Sequence, residues 1–126
     1  MKEATTDMAR ILLADDDKPT RDLVRRALET DGHQVLLAED GQEAWSAFAA
    51  APLSFDLIVT DIEMPGTDGV TLAKNALAAS PSVKVLMMSG FNEALERGRN
   101  LAPARVEVLA KPFTLDQIRR AIKSVI

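Results

Sequence analysis

Several short apolar segments of this sequence end at polar side chains that could take part in chemistry. These side chains are Asp15, Asp16, Asp61, Ser89 and Lys111. Three carboxylates that come together repel one another, and a hard cation with oxygen ligands, such as Mg²⁺, relieves that repulsion. A lysine and a hydroxyl opposite the ion would suit the oxygens of a phosphoryl group. The set predicts phosphoryl transfer onto a carboxylate. Asp61 is the best candidate because it stands alone, whereas Asp15 and Asp16 are paired like metal ligands.

Each of these residues also has a simpler interpretation. The acidic run from Asp15 to Asp17 could cap the helix that follows it, and Asp61 could be a turn residue. Ser89 could be a helix cap and Lys111 a surface charge. Four such coincidences at the ends of four predicted strands are less expected than one shared site.

The apolar pattern predicts five strands that alternate with five helices. The predicted strands span residues 10–14, 34–38, 55–60, 83–88 and 106–110. Thr114 and Gln117 resemble a capping box, which would start a last helix. The apolar stripe of that helix consists of Leu115, Ile118, Ile122 and Val125. Strands that are almost wholly apolar are covered on both faces, so we predict an α/β fold, (βα)5, with a doubly wound five-stranded parallel sheet. Ligands bind such a sheet at the carboxyl ends of its strands, where the polar groups fall.

Length and composition exclude several classes of function. The chain has 126 residues, a formal net charge of −4 and no cysteine, which fits one compact domain without disulfides or thiolate metal sites. It contains neither a transmembrane run nor an apolar N-terminal signal, so we expect a cytoplasmic protein without a membrane partner. The mild acidity argues against binding to nucleic acid. The arginines that stand among acids are expected on solvated faces: Arg21, Arg25, Arg26, Arg97 and Arg99.

The ordered set of motifs resembles the receiver domain of two-component response regulators, over essentially the whole chain from residue 10 to residue 126. The motifs are Asp15-Asp16, Asp61-Ile62-Glu63-Met64-Pro65, Asp68-Gly69, Ser89-Gly90 and Lys111-Pro112-Phe113. The resemblance implies the flavodoxin-like strand order 2-1-3-4-5. We expect residues 1–8 to form a flexible N-terminal extension and residues 9–126 to form the receiver domain.

The resemblance also implies roles for individual residues. Asp61 would accept a phosphoryl group from a phosphohistidine of a histidine kinase or a histidine phosphotransferase. Ser89 and Lys111 would contact the phosphoryl oxygens, and the peptide bond between Lys111 and Pro112 would be cis. The Mg²⁺ ligands would be Asp15, Asp16, Asp61 and the backbone carbonyl of Glu63. Such a protein is a signalling protein and not an enzyme, since its chemistry is limited to its own phosphorylation and dephosphorylation.

Longer phrases are similar to single-domain receivers that control proteolysis by ClpXP during the alphaproteobacterial cell cycle. The phrases span residues 10–17, 57–62, 88–91 and 108–113. No effector domain follows the last predicted helix, so the output is expected to be binding to a downstream protein, with the ClpXP protease system as one such partner. The protein itself is expected to be a monomer or a weak dimer.

Two other functions stay open from the residues alone. A haloacid-dehalogenase-like phosphatase would use Asp15 as its nucleophile, although Pro19 stands where that family has Thr or Val. A binding scaffold that is independent of phosphorylation would need neither Asp15 nor Asp61. Such scaffolds usually lack the acceptor, the lysine or the acid pair, all of which this sequence has.

Val108 departs from the receiver pattern. Many receivers carry Tyr or Phe three residues before the lysine, and that ring swings inward when the hydroxyl moves toward the phosphoryl group. Valine excludes such a switch, so we expect the segment after Ser89 and the polar fourth helix to carry the signal. Phe91 either replaces the missing ring or belongs to the core. Glu63 is expected to bring negative charge toward the site and so to alter the lifetime of the aspartyl phosphate.

Overall fold

The computed structural model describes residues 8–126. The flexible extension expected at residues 1–8 lies outside the described residues, except for Met8. In chain order the elements are β1 (Arg10–Ala14), α1 (Lys18–Thr30), β2 (Gln34–Ala38), α2 (Gly41–Ala50), β3 (Leu57–Asp61), α3 (Gly69–Ala79), β4 (Lys84–Ser89), α4 (Asn92–Arg99), β5 (Val106–Ala110) and α5 (Leu115–Val125). Strands and helices alternate throughout, as the apolar pattern predicts.

The five strands form one parallel sheet with the order β2-β1-β3-β4-β5. This arrangement confirms the predicted doubly wound α/β fold and its 2-1-3-4-5 order. Successive side chains of a strand point to opposite faces: Leu12 and Ile58 pack with α2 and α3, whereas Ile11 and Leu57 pack with α1 and α5. The central strands β1, β3 and β4 are therefore buried on both faces, and their carboxyl ends meet at one edge of the sheet.

Side-chain caps start several helices close to the strand ends. Asp17 accepts a hydrogen bond from the backbone N–H of Thr20 at the start of α1. Thr114 and Gln117 form the predicted capping box at the start of α5. Such caps satisfy backbone donors that the first turn of a helix leaves free. They begin α1 and α5 within a few residues of the ends of β1 and β5.

Three details differ from the expectations. Leu115 is 38% exposed because it is the first residue of α5, ahead of the turns that pack on the sheet. Arg21 is buried because it shares one face of α1 with Val24 and Leu28, which belong to the core. The prediction that Arg21 lies on a solvated face is therefore wrong. β3 extends to Asp61, since this residue still pairs with β4.

Candidate functional site

The loop after β1 presents the acid pair and is held from two sides. The side chain of Asp15 is fully buried, and its Oδ1 accepts a hydrogen bond from the backbone N–H of Asp17 at 2.9 Å. On the other side, Nη1 of Arg21 donates to the carbonyl oxygen of Asp15 at 2.7 Å. Sequence reasoning missed Arg21 as part of the site. The signal that could have found it is its spacing from Val24 and Leu28 on the apolar stripe of α1.

Asp61 ends the central strand, and the loop after it folds back tightly. The backbone N–H of Gly69 donates to the carbonyl oxygen of Ile62 at 2.9 Å. A Cβ atom at Gly69 would lie 2.3 Å from the carbonyl oxygen of Asp61, so only glycine fits there. The hydroxyl of Thr60 also donates to that carbonyl oxygen, at 2.9 Å. These contacts hold the backbone at Asp61 in place and so position its carboxylate.

Lys111 follows β5 and reaches across the edge of the sheet to two acids. Its backbone N–H donates to the carbonyl oxygen of Ser89 at 2.8 Å, which ties the ends of β4 and β5 together. The peptide bond to Pro112 is cis, as expected. The ammonium Nζ lies 3.2 Å from Oδ2 of Asp15 and 3.2 Å from Oδ1 of Asp61. The lysine thus bridges the acid that follows β1 and the acid that ends β3.

The three acids named from the sequence come together. One carboxylate oxygen from each of Asp15, Asp16 and Asp61 lies within 4.8 Å of the others. Within the described part of the chain, Oδ1 of Asp61 is buried and has no well-aligned hydrogen-bond donor, although the ammonium of Lys111 lies 3.2 Å away. A buried carboxylate oxygen without a donor, in an all-oxygen set, is what a hard cation such as Mg²⁺ would bind. The residues present fit that ion.

Burial and charge shift the protonation of these groups. Burial raises the pKa of Asp61 to about 6 from its ordinary value of 3.8, and the neighbouring acids Asp15 and Glu63 add to the rise, while Lys111 opposes it. Burial also raises the pKa of Asp15, against the hydrogen bond from Asp17 and the charge of Lys111. The pKa of Lys111 is raised because the attraction of the two acids outweighs its own burial. One lysine therefore does not compensate these carboxylates fully.

The Ser89 hydroxyl both donates and accepts a hydrogen bond. It is fully buried at the end of β4, and its Oγ donates to the carboxylate of Glu63, with both carboxylate oxygens at 2.9 Å. The same Oγ accepts a hydrogen bond from the backbone N–H of Phe91 at 3.0 Å. The structure thus brings the Glu63 side chain to the end of β4 through Ser89. Sequence reasoning anticipated its charge but not this contact.

Phe91 and Val108, the two residues considered for the aromatic switch, lie in different surroundings. The ring of Phe91 is 64% exposed, so the alternative that Phe91 belongs to the core is wrong. Val108 pairs with Met87 of the neighbouring strand. A Cβ atom at Gly98 would lie 3.2 Å from Val108 and 3.0 Å from Met87, so α4 packs closely over both side chains.

The fold and the edge of the sheet define a receiver domain. The sequence profile of the response regulator receiver domain family matches residues 11–123, and the chain belongs to that family. It is similar to the response regulator receiver protein CpdR of Brucella abortus, with 35% identity over 94% of this chain and 98% of CpdR. The resemblance predicted from the motifs and the longer phrases is confirmed.

Other relatives agree with this assignment. The chain is 30% identical to the response regulator MprA of Mycolicibacterium vanbaalenii over 93% of its own length, and it spans 50% of MprA. The solved structure of the chemotaxis response regulator CheY4 of Vibrio cholerae superimposes with a TM-score of 0.82 at 27% identity, covering 94% of this chain and 99% of CheY4. Among the described residues, none of the helices has the length and apolar character needed to span a membrane.

Proposed function

We propose that Asp61 accepts a phosphoryl group from a phosphohistidine of a histidine kinase or histidine phosphotransferase, in a reaction that depends on Mg²⁺. One observation carries the proposal. The Asp61 carboxylate stands at the end of the central strand, in one cluster with Asp15 and Asp16 and 3.2 Å from the ammonium of Lys111. Such a set of negative and positive groups around one carboxylate suits a phosphoryl acceptor.

The metal ligands in this proposal are the three acids and one backbone group. They are Asp15, Asp16, Asp61 and the backbone carbonyl of Glu63. When bound, Mg²⁺ would neutralise negative charge on the acids and on the transferring phosphoryl group. The charge of the acid cluster and the donorless Oδ1 of Asp61 support this assignment.

Different residues of the chain have different roles in the proposed phosphoryl transfer. An oxygen of the Asp61 carboxylate attacks phosphorus, the P–N bond to the donor imidazole breaks, and the imidazole nitrogen keeps the electron pair and takes a proton from solvent. Lys111 and Ser89 would bind the phosphoryl oxygens with an ammonium and a hydroxyl. The product is an aspartyl phosphate, which water returns to aspartate and phosphate. The protein acts as a signalling phosphoacceptor and not as an enzyme with a separate substrate.

The phosphatase alternative has less support. It would use Asp15 as the nucleophile, but the Asp15 carboxylate is fully buried and engaged by Asp17 and Lys111. That family uses a strand that ends in Asp-x-Asp, here Asp15 and Asp17, and Asp17 is occupied as the N-cap of α1, where it accepts a hydrogen bond from Thr20. The scaffold alternative has no positive support in the site, and the experiment below tests it directly.

The output that we propose is binding to a protein partner in the cytoplasm. The similarity to CpdR points to control of regulated proteolysis by ClpXP in the cell cycle. Residues 9–126 would act as a single receiver domain behind a flexible extension at residues 1–8, as a monomer or a weak dimer. Nucleic acid and membrane are not among the proposed partners.

The signal would leave the site through the β4–α4 segment. Val108 offers no ring to move. The hydroxyl of Ser89, by contrast, is hydrogen-bonded to the backbone of Phe91, the residue that precedes α4. If Ser89 turns toward a phosphoryl group, the start of α4 and the exposed ring of Phe91 change with it.

Intact mass after incubation with Mg²⁺ and acetyl phosphate tests the proposal. We expect wild type to gain one phosphoryl group and Asp61→Asn to gain none. Asp116→Asn, a change at an exposed acid on α5, serves as the matched control and should gain one as well. A gain that persists in Asp61→Asn would place the acceptor elsewhere, with Asp15 next to test. No gain in any protein, together with no binding of beryllofluoride, would favour the scaffold.

A further inference from the structure

The hydroxyl of Ser89 already has a charged partner in the structure. Oγ lies 2.9 Å from both carboxylate oxygens of Glu63, and its acceptor side is taken by the N–H of Phe91. A hydroxyl has one proton to donate. It therefore cannot donate to Glu63 and to a phosphoryl oxygen on Asp61 at the same time.

We propose that Glu63 is an internal competitor for Ser89, a latch that holds the hydroxyl away from Asp61 until phosphorylation; this inference rests on the proposed function. The contact between Ser89 Oγ and the Glu63 carboxylate defines the term latch. In the resting protein the Ser89 hydroxyl donates its hydrogen bond to the Glu63 carboxylate. After transfer of a phosphoryl group to Asp61, the hydroxyl donates to a phosphoryl oxygen instead, and the exposed side chain of Glu63 is left to solvent.

Two features of the site favour the change of hydrogen-bond acceptor from Glu63 to the phosphoryl group. Asp61 and Glu63 lie two residues apart, and their charges act on each other, since Glu63 contributes to the raised pKa of Asp61. A phosphoryl group on Asp61 adds negative charge close to the Glu63 carboxylate, and like charges repel. The latch is therefore weakened by the same event that offers Ser89 a new acceptor.

The latch makes Glu63 a positioning residue whose removal speeds phosphorylation. In Glu63→Ala the hydroxyl has no carboxylate to donate to before the reaction, so we expect the rate with acetyl phosphate and Mg²⁺ to rise roughly three- to tenfold, the factor that the net free energy of one ordinary hydrogen bond corresponds to. Glu29→Ala is the matched control. It removes the same charge at an exposed position near the far end of α1 and should leave the rate unchanged.

A double-variant comparison separates the latch from simple charge repulsion. Repulsion of the donor by Glu63 needs no hydroxyl, whereas the latch does. We therefore expect the gain from Glu63→Ala to disappear when it is measured on a Ser89→Ala background. An equal gain on both backgrounds would overturn the proposal. Circular dichroism and urea midpoints of the single variants establish that they are folded, and the Phe91 resonance described next keeps the proposal testable if Ser89→Ala does not fold.

A metal-free measurement tests the contact apart from the proposed function. Without Mg²⁺ or donor, the amide resonance of Phe91 reports on Ser89 Oγ, to which it donates. We expect this resonance to shift in Glu63→Ala and to stay in place in Glu29→Ala. An unshifted resonance would show that the latch does not form. If wild type takes up no phosphoryl group while the resonance does shift, the proposed function fails and the contact itself stands.

Discussion

Replacement of Asp61 by asparagine should stabilise the metal-free protein, by an amount that depends on pH. Burial raises the pKa of Asp61 from 3.8 to about 6, so the folded state binds more protons than the unfolded state between these values. Stability from this group is present at low pH and is lost as pH rises through that window, levelling off above about pH 6. Since one pKa unit corresponds to about 1.4 kcal/mol, the full loss is about 3 kcal/mol.

Asparagine has nearly the shape of the protonated acid and cannot ionise. The unfolding free energy of Asp61→Asn should therefore exceed that of wild type by up to about 3 kcal/mol at about pH 8, and the difference should fall to nearly zero below about pH 3. The side chain of Asp61 is only 7% exposed, so solvent screening reduces this value little. Mg²⁺ should narrow the difference, because it binds and stabilises only the ionised wild type.

Urea unfolding of both proteins across this pH range, with metal removed by a chelator, measures the difference. Asp116→Asn, which changes an exposed acid outside the cluster, should show no comparable pH-dependent gain. The reasoning is refuted if the difference between Asp61→Asn and wild type is the same at every pH. It is equally refuted if the variant is the less stable protein at about pH 8.

Three further predictions concern the frame of the site. Lys111→Met removes the ammonium that lowers the pKa of Asp61, so this pKa should rise further above about 6. An NMR titration of the Asp61 carboxyl carbon measures it, and a lower pKa in the variant would contradict the reasoning. Gly69→Ala would place Cβ 2.3 Å from the Asp61 carbonyl oxygen and should cost about 1–3 kcal/mol in urea unfolding. Gly90→Ala, whose Cβ meets nothing within 4 Å, is its control, and equal costs would contradict the steric argument. Arg119→Met breaks the 2.6 Å ion pair with Asp31, the residue that follows the last residue of α1, and should lower the urea midpoint slightly, less so at high salt. A decrease that salt leaves unchanged would point to packing.

The fold was predictable because its signals are local and repeated. Each central strand is an apolar run too short for a helix, and the capping residues Asp17 and Thr114 start the helices that follow β1 and β5. Parallel strands with right-handed crossovers place every strand end at one edge. The meeting of Asp15, Asp61 and Lys111 follows from that geometry, although the residues are far apart in the chain.

Side-chain direction was not predictable in the same way. Arg21 has a charge that favours solvent, but the periodicity of α1 places it on the packed face, where the carbonyl of Asp15 satisfies it. Glu63 lies in a loop, where no periodicity fixes the direction of a side chain, and its contact with Ser89 joins the β3–α3 loop to the end of β4. Both contacts depend on tertiary structure, which a local pattern does not encode.

In the mechanism that we propose, charge balance links the metal, the latch and the output. The described site holds several carboxylates against the single ammonium of Lys111, so a cation improves the balance before any phosphoryl group arrives. The phosphoryl group then brings negative charge back beside Asp61, and Ser89 is the buried hydroxyl at this edge that can turn to it. That hydroxyl must leave Glu63, and its bond to the Phe91 backbone carries the change to the start of α4. Because Val108 offers no ring to move, the proposed release of Ser89 is the step that would join phosphorylation to the surface around Phe91.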